Sequence, residues 1–162
     1  MSKRVILATG LAAVLALTAA PAFAQQVQMN ADLSGGNEAP NKVTSGALGN
    51  ADCSVNISAR TITCTGTVFN LPSGVTQGHI HVGAEGVAGP VVCNAVVPVN
   101  ASNDFNFAIS CDESNIILRP ELGIRSFEDF LQALLGGNTY VNIHSAVNPG
   151  GEVRGQLRRR TE

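Results

Sequence analysis

The sequence predicts an all-β fold: an antiparallel, Greek-key-like β-sandwich or barrel with one short helix and two disulfides. Three observations carry this. Charged residues are only 14% of the chain and glycines number 17, while short β-branched runs alternate with turn residues, which favours many short antiparallel strands. The four cysteines, Cys53, Cys64, Cys93 and Cys111, are even in number and fall where hairpins would set them face to face. One segment alone, about 126–135, departs from the period of two and has helical spacing.

The chain opens Met1-Ser2-Lys3-Arg4, continues in an apolar run from Val5 to Ala20, and then reads Ala22-Phe23-Ala24. A basic start, an apolar stretch and a small-residue site in that order predict a signal peptide over 1–24, cleaved after Ala24. Residues 25–162 then form one domain with its core over about 28–158, secreted or periplasmic. Gln25 rather than a cysteine would lead, which argues against a lipid anchor. No later segment is apolar enough to span a bilayer. Removing Lys3 and Arg4 leaves eight basic residues against twelve acidic. With no basic patch interleaved with aromatics, nucleic acid is excluded as a partner. An oxidising compartment turns four cysteines into two disulfides; a four-thiolate metal site lacks the C-x2-C pair that would seed it.

Placing Cys53 opposite Cys64 sets Val55 against Ile62 on the same face, with Ser58-Ala59 as the turn. Ser54, Asn56, Thr61 and Thr63 then point the other way. Placing Cys93 opposite Cys111 sets Ala95 against Ile109, Val97 against Phe107 and Val99 against Phe105, around a loop over 100–104. A one-residue slip would scramble both faces, so the pairs Cys53–Cys64 and Cys93–Cys111 are expected. The run Asn148-Pro149-Gly150-Gly151-Glu152 is dense turn chemistry. A three-residue loop there sets Val147 against Val153 and Ile143 against Leu157. Val141, Ile143, Val153 and Leu157 then face the core, and Tyr140, Asn142, His144, Arg154 and Gln156 face away from it.

In the helical segment, Ser126 is the expected N-cap, with Asp129 three residues on and Gly136 or Gly137 as the stop. Phe127, Phe130, Leu131 and Leu134 share one face, which is expected to plug one end of the sandwich or barrel.

Four blocks stand in order along the chain: Leu33-Ser34-Gly35-Gly36-Asn37-Glu38-Ala39-Pro40; Gly78-His79-Ile80-His81-Val82-Gly83 with Gly89-Pro90-Val91-Val92; Tyr140-Val141-Asn142-Ile143-His144-Ser145; and Asn148-Pro149-Gly150-Gly151-Glu152-Val153-Arg154-Gly155-Gln156-Leu157. Together they closely resemble the CHRD domain, a family found in chordin and in bacterial secreted proteins. The resemblance implies an antiparallel β-sandwich or barrel. It names no ligand for a single exported domain.

The chain has three histidines, and all lie in these blocks. His79 and His81 are two apart, so on a strand they share a face opposite Ile80 and Val82. His144 is also on the non-core face of its strand. An H-x-H pair with a third histidine from another strand is a workable imidazole set for copper or zinc. The alternative is that the histidines hydrogen-bond loops and order the fold. Asn142, Glu152 and Arg154 are candidate partners in either case, with Glu152 and Arg154 expected to pair as ions on one strand face. Too few histidines are present for a two-metal site of the Cu/Zn superoxide dismutase type, and no G-x-S-x-G elbow occurs, so the expectation is not an enzyme. The sequence reading is therefore a non-catalytic binding protein of the cell envelope, its partner a protein or small ligand. Its alternatives are a copper- or zinc-binding protein and a cell-surface adhesion or matrix component.

Overall fold

Nine strands and one helix follow the chain in the computed structural model, which describes residues 25–160. The leader and its cleavage site lie outside the described residues. The strands are β1 (Gln26–Ser34), β2 (Leu48–Asn56), β3 (Thr61–Leu71), β4 (Val75–Val82), β5 (Val91–Val96), β6 (Asn103–Asp112), β7 (Thr139–Ser145), β8 (Val153–Gln156) and β9 (Arg158–Arg159), with helix α1 (Phe127–Leu135) between β6 and β7. They pair antiparallel in the order β2-β3-β6-β5-β4-β7-β8-β1, and β1 returns to β2. The sheet thus closes into an eight-stranded barrel, β9 continuing the β8 register along β1. Closure leaves no open edge. The segment β3 to β6 is a Greek key: β4, β5 and β6 are consecutive neighbours, and β3 crosses over to lie beside β6.

Alternation along each strand fills the barrel. Met29, Ala31 and Leu33, Val55 and Ile62, Ile80, Phe107 and Ile109, Val141 and Ile143, Val153 and Leu157 are all buried in one core. Cys53 stands directly opposite Cys64 in the β2–β3 ladder, and the expected bridges Cys53–Cys64 and Cys93–Cys111 are both formed. In α1, the Ser126 hydroxyl accepts from the Asp129 backbone N–H, and Phe127, Phe130, Leu131 and Leu134 are buried. Their apolar face joins the barrel core.

Three hairpins differ in detail from the sequence expectation, one of them in register. The β2–β3 connection is the four residues 57–60, with Arg60 in the left-handed region at φ 52°. The β5–β6 ladder has the expected register but holds only Ala95 opposite Ile109 and Val96 opposite Ala108. Beyond Val96 the chain leaves β6, so Val99 is 89% exposed rather than paired with Phe105. In the third hairpin Ile143 faces Val153, not Leu157, and Val147 is exposed in a longer loop. That slip is four residues, an even number, so every side chain keeps its expected face.

Each disulfide ties together strands already paired or neighbouring in the sheet, closing loops of 11 and 18 residues. Replacing either cysteine pair by alanine should lower the free energy of unfolding by about 3 kcal/mol on the chain-entropy account. Urea melts of the two double variants measure this.

Candidate functional site: a histidine wall on the outside of the barrel

The outer faces of β4, β7 and β8 would ordinarily meet water. Here they do not. All seven residues of β7 are buried, because chain segments before β2, between β4 and β5, and between β7 and β8 cover its outer side. The residues expected to face away from the core do so, yet Tyr140, Asn142, His144 and Arg154 are buried under these segments. The β4–β7 register sets His79 opposite Asn142, His81 opposite Tyr140 and Gln77 opposite His144. On the other side of β7, Arg154 stands opposite Asn142.

The three histidines meet on this wall. One ring nitrogen from each lies within 4.8 Å of the other two. The His79 and His144 ring centroids are 5.0 Å apart, and those of His79 and His81 5.4 Å. His81 and His144 are 8% and 7% exposed, whereas His79 is half-buried.

Carbonyl groups fix the tautomers. His81 Nδ1 is 2.8 Å from the Gly89 carbonyl and His144 Nδ1 is 2.9 Å from the Pro149 carbonyl. A carbonyl only accepts, so both Nδ1 atoms carry the proton and both Nε2 atoms carry a lone pair. His79 Nδ1 lies 3.1 Å from His144 Nε2 and donates to it. The Nε2 of His81 is closed to solvent and has no hydrogen-bond partner. Burial, reinforced by the neighbouring His144, holds His79 down to about 4. Burial also holds His81 down to about 4 against the Gly89 bond, and lowers His144. All three imidazoles are therefore neutral at physiological pH, the state in which a histidine ligates a metal.

A second layer of side chains holds this arrangement. The Tyr140 ring stacks on His81 at 4.8 Å with planes 9° apart, and the Arg154 guanidinium lies 3.5 Å over the Tyr140 ring. The Tyr140 hydroxyl accepts from the Gly89 N–H and donates to the Gly89 carbonyl, so the group that orients His81 is itself fixed. A β-carbon on Gly89 would stand 1.7 Å from the Val82 carbonyl oxygen, and only glycine fits this approach. Arg154 donates to the Ala84 carbonyl, and Gln156 to those of Gly83 and Gly137.

On the His144 side the anchor is Glu152. Its carboxylate accepts from Ser45, Ser145 and Asn148. Burial works to raise this carboxyl, but the three bonds outweigh it and hold it below the ordinary range. Glu152 thereby pins the loop that presents the Pro149 carbonyl. The expected ion pair of Glu152 with Arg154 is not formed: Glu152 precedes β8 and is spent on the loop, while Arg154 lies over Tyr140. Of the proposed partners, Asn142 bonds Glu38, Arg154 acts through Tyr140 and Glu152 through the loop. Tyr140, Gly89 and Pro149 are the residues that sequence reasoning did not single out as partners. Gly89-Pro90 beside the H-x-H strand and Pro149 in the turn block were the available signals.

A disulfide-bonded antiparallel barrel with a buried histidine wall defines the class of protein. The CHRD domain model matches residues 29–157, and the chain belongs to the CHRD domain family. No curated protein and no solved structure matches it significantly. Among the described residues no helix is long and apolar enough to cross a membrane.

Glu38 offers a pH test of the buried layer. Burial, partly offset by the Asn142 bond, pushes its carboxyl up from 4.5 to about 7. The folded protein then binds a proton that the unfolded chain releases. Its contribution is full below the ordinary value and is lost as pH rises through about 7. The histidines act in the opposite sense, favouring the folded state as pH rises from about 4 toward 6.5. Subtracting the stability curve of Glu38→Gln from that of the wild type should isolate the Glu38 fall between about pH 4.5 and 7, read from denaturant midpoints.

Proposed function

We propose that this CHRD domain is an exported, non-catalytic binding protein whose ligand is a transition metal, copper or zinc, held by His79, His81 and His144. The observation that carries this reading is the convergence of three neutral imidazoles, two with Nδ1–H bonded to a backbone carbonyl so that the Nε2 lone pair is left for another partner. Carbonyl bonds of this kind orient metal-ligating histidines and fix their tautomer. The lone pair of His81 Nε2 lies where a water molecule does not reach, whereas a metal bond of about 2 Å needs less room. Imidazole nitrogen suits copper and zinc alike, and thiolate competition is absent because the cysteines form disulfides. Two disulfides are in keeping with an oxidising compartment, which is where the leader reading places the domain.

Isothermal titration of metal-free protein with Cu(II) and Zn(II) tests this. One equivalent should bind, and His79→Ala, His81→Ala or His144→Ala should each weaken binding by more than roughly tenfold. Saturable binding that survives all three substitutions would falsify the assignment.

Binding should hold nearly level from pH 7 to pH 5 and fall as pH drops through about 4, where His79 and His81 take up protons. Exposed histidines would lose metal near their ordinary value of about 6.5. Titrations in buffers across this range separate the two.

Tyr140→Phe removes the hydroxyl that fixes the Gly89 carbonyl while keeping the ring on His81. It should lower metal affinity by roughly tenfold with the fold intact, measured by competition with a chelator alongside circular dichroism.

A further inference from the structure

We infer that a metal on this wall keeps a solvent-facing coordination position that takes a small anion, which makes the centre a ligand-binding site and not a closed structural one. The inference rests on the metal reading above.

Closed structural zinc sites use four protein ligands, whereas sites that bind an external molecule use three and leave a position open. Among the described residues no fourth His, Cys, Asp or Glu joins the group of His79, His81 and His144. The four cysteines are bridged. Glu152 accepts from Ser45, Ser145 and Asn148, and Glu38, which reaches the wall from the segment after β1, accepts from Asn142. Glu38 Oε1 and Asn142 Oδ1 keep unpaired oxygens on this wall, but Glu38 is not grouped with the three imidazoles, so the histidines alone make up the ligand set.

The open direction follows from burial. His81 and His144 are covered by the segments that hold their Nδ1 atoms, but His79 is half-buried. Across the sheet from His79 stands Asn94 on β5, and two residues before it on the same strand face stands Gln77. Both are exposed, and both are uncharged amides. The approach therefore runs along the His79 edge between two neutral side chains.

Charge decides what enters. Three neutral imidazoles leave the metal its full positive charge. Arg154 is the charged side chain that β4, β5, β7 and β8 place on this face, behind the Tyr140 ring; Glu38 and Glu152 reach the wall from the neighbouring segments, bonded to Asn142 and to Ser45, Ser145 and Asn148. A small anion meets no carboxylate along this path, and the centre attracts it.

The test uses the full mature chain loaded with one equivalent of Cu(II) and titrated with azide, followed by electron paramagnetic resonance and visible absorption, with bound copper checked by dialysis. The expected result is a saturable change in both signals with copper retained. Asn94→Asp, at an exposed position, should weaken azide by at least about fivefold, since a carboxylate at the mouth either repels the anion or takes its place. Copper that stays bound and does not respond to azide would overturn the open position and leave the metal reading standing. Unchanged azide affinity in Asn94→Asp would also overturn it, by placing the anion elsewhere. Failure of the chain to take up copper in a histidine-dependent way would overturn the metal reading, and this inference with it.

Discussion

Strand β7 has no face in water, and the architecture around the histidines follows from that constraint. Its inward residues, Val141 and Ile143, belong to the barrel core. Its outward residues, Tyr140, Asn142 and His144, are polar and nearly as buried. A buried polar group without a partner costs about 1–3 kcal/mol, so burying this side of the strand demands a matching set of donors and acceptors. The backbone of the covering segments supplies most of them, through the carbonyls of Gly89, Pro149, Ala84 and Gly83. These connections are therefore part of the site and cannot be exchanged for arbitrary loops.

The same burial sets the chemistry. Removing water from His79, His81 and His144 disfavours their charged forms, so the wall carries neutral rings where an exposed histidine would titrate near neutrality. The one full cation behind them, Arg154, lies over the face of Tyr140 and is favoured by the nearby Tyr140, Glu38 and Glu85, without a direct ion pair. Glu152 shows how an acid can be buried and stay ionised: three donors converge on it. Glu152 is satisfied by neutral donors, Arg154 makes no direct ion pair with an acid, and the histidines are left free of ion pairs.

Much of this was legible in the residues. Alternation assigned the core face of every hairpin tested, because side chains on a strand change face at each step. The cysteine pairs fixed two registers, since only one alignment put apolar residues opposite each other throughout. Ser126 and Asp129 marked the start of α1. What could not be read was of two kinds. An even slip, as between Ile143–Leu157 and Ile143–Val153, leaves the face pattern unchanged and is set by loop geometry, which composition does not encode. And a polar residue on an outer face reads as solvated until the chain that covers it is placed. Tyr140 and Arg154 looked like solvent-facing residues for this reason, and Glu152 looked like a partner for Arg154 because the two stand two residues apart. The resemblance of the blocks located the site, while its layering came only from the long-range contacts.

The distribution of unsatisfied groups bears on why the wall exists. The buried side-chain atoms without a hydrogen-bond partner, among the described residues, are Glu38 Oε1, His81 Nε2, Thr139 Oγ1, Asn142 Oδ1 and Arg154 Nη1. Three of the five, His81, Asn142 and Arg154, stand on the outer faces of β4, β7 and β8, and a fourth, Glu38, bonds to one of them; Thr139 lies on the inner face of β7 with Val141 and Ile143. If these residues served stability alone, apolar side chains of similar size would do as well or better, because a half-satisfied polar network is worse than an apolar one. A sequence that alternates consistently elsewhere gathers most of its buried polar side chains on this wall, and such departures gather at functional sites. The histidines sharpen the point. Loop anchoring uses the Nδ1 atoms of His81 and His144 and leaves both Nε2 lone pairs aimed at a shared space, where two acceptors have only the single proton of His79 Nδ1 between them. A cation that takes the place of that proton, with His79 carrying its remaining proton on Nε2, would accept a lone pair from all three rings and resolve the conflict.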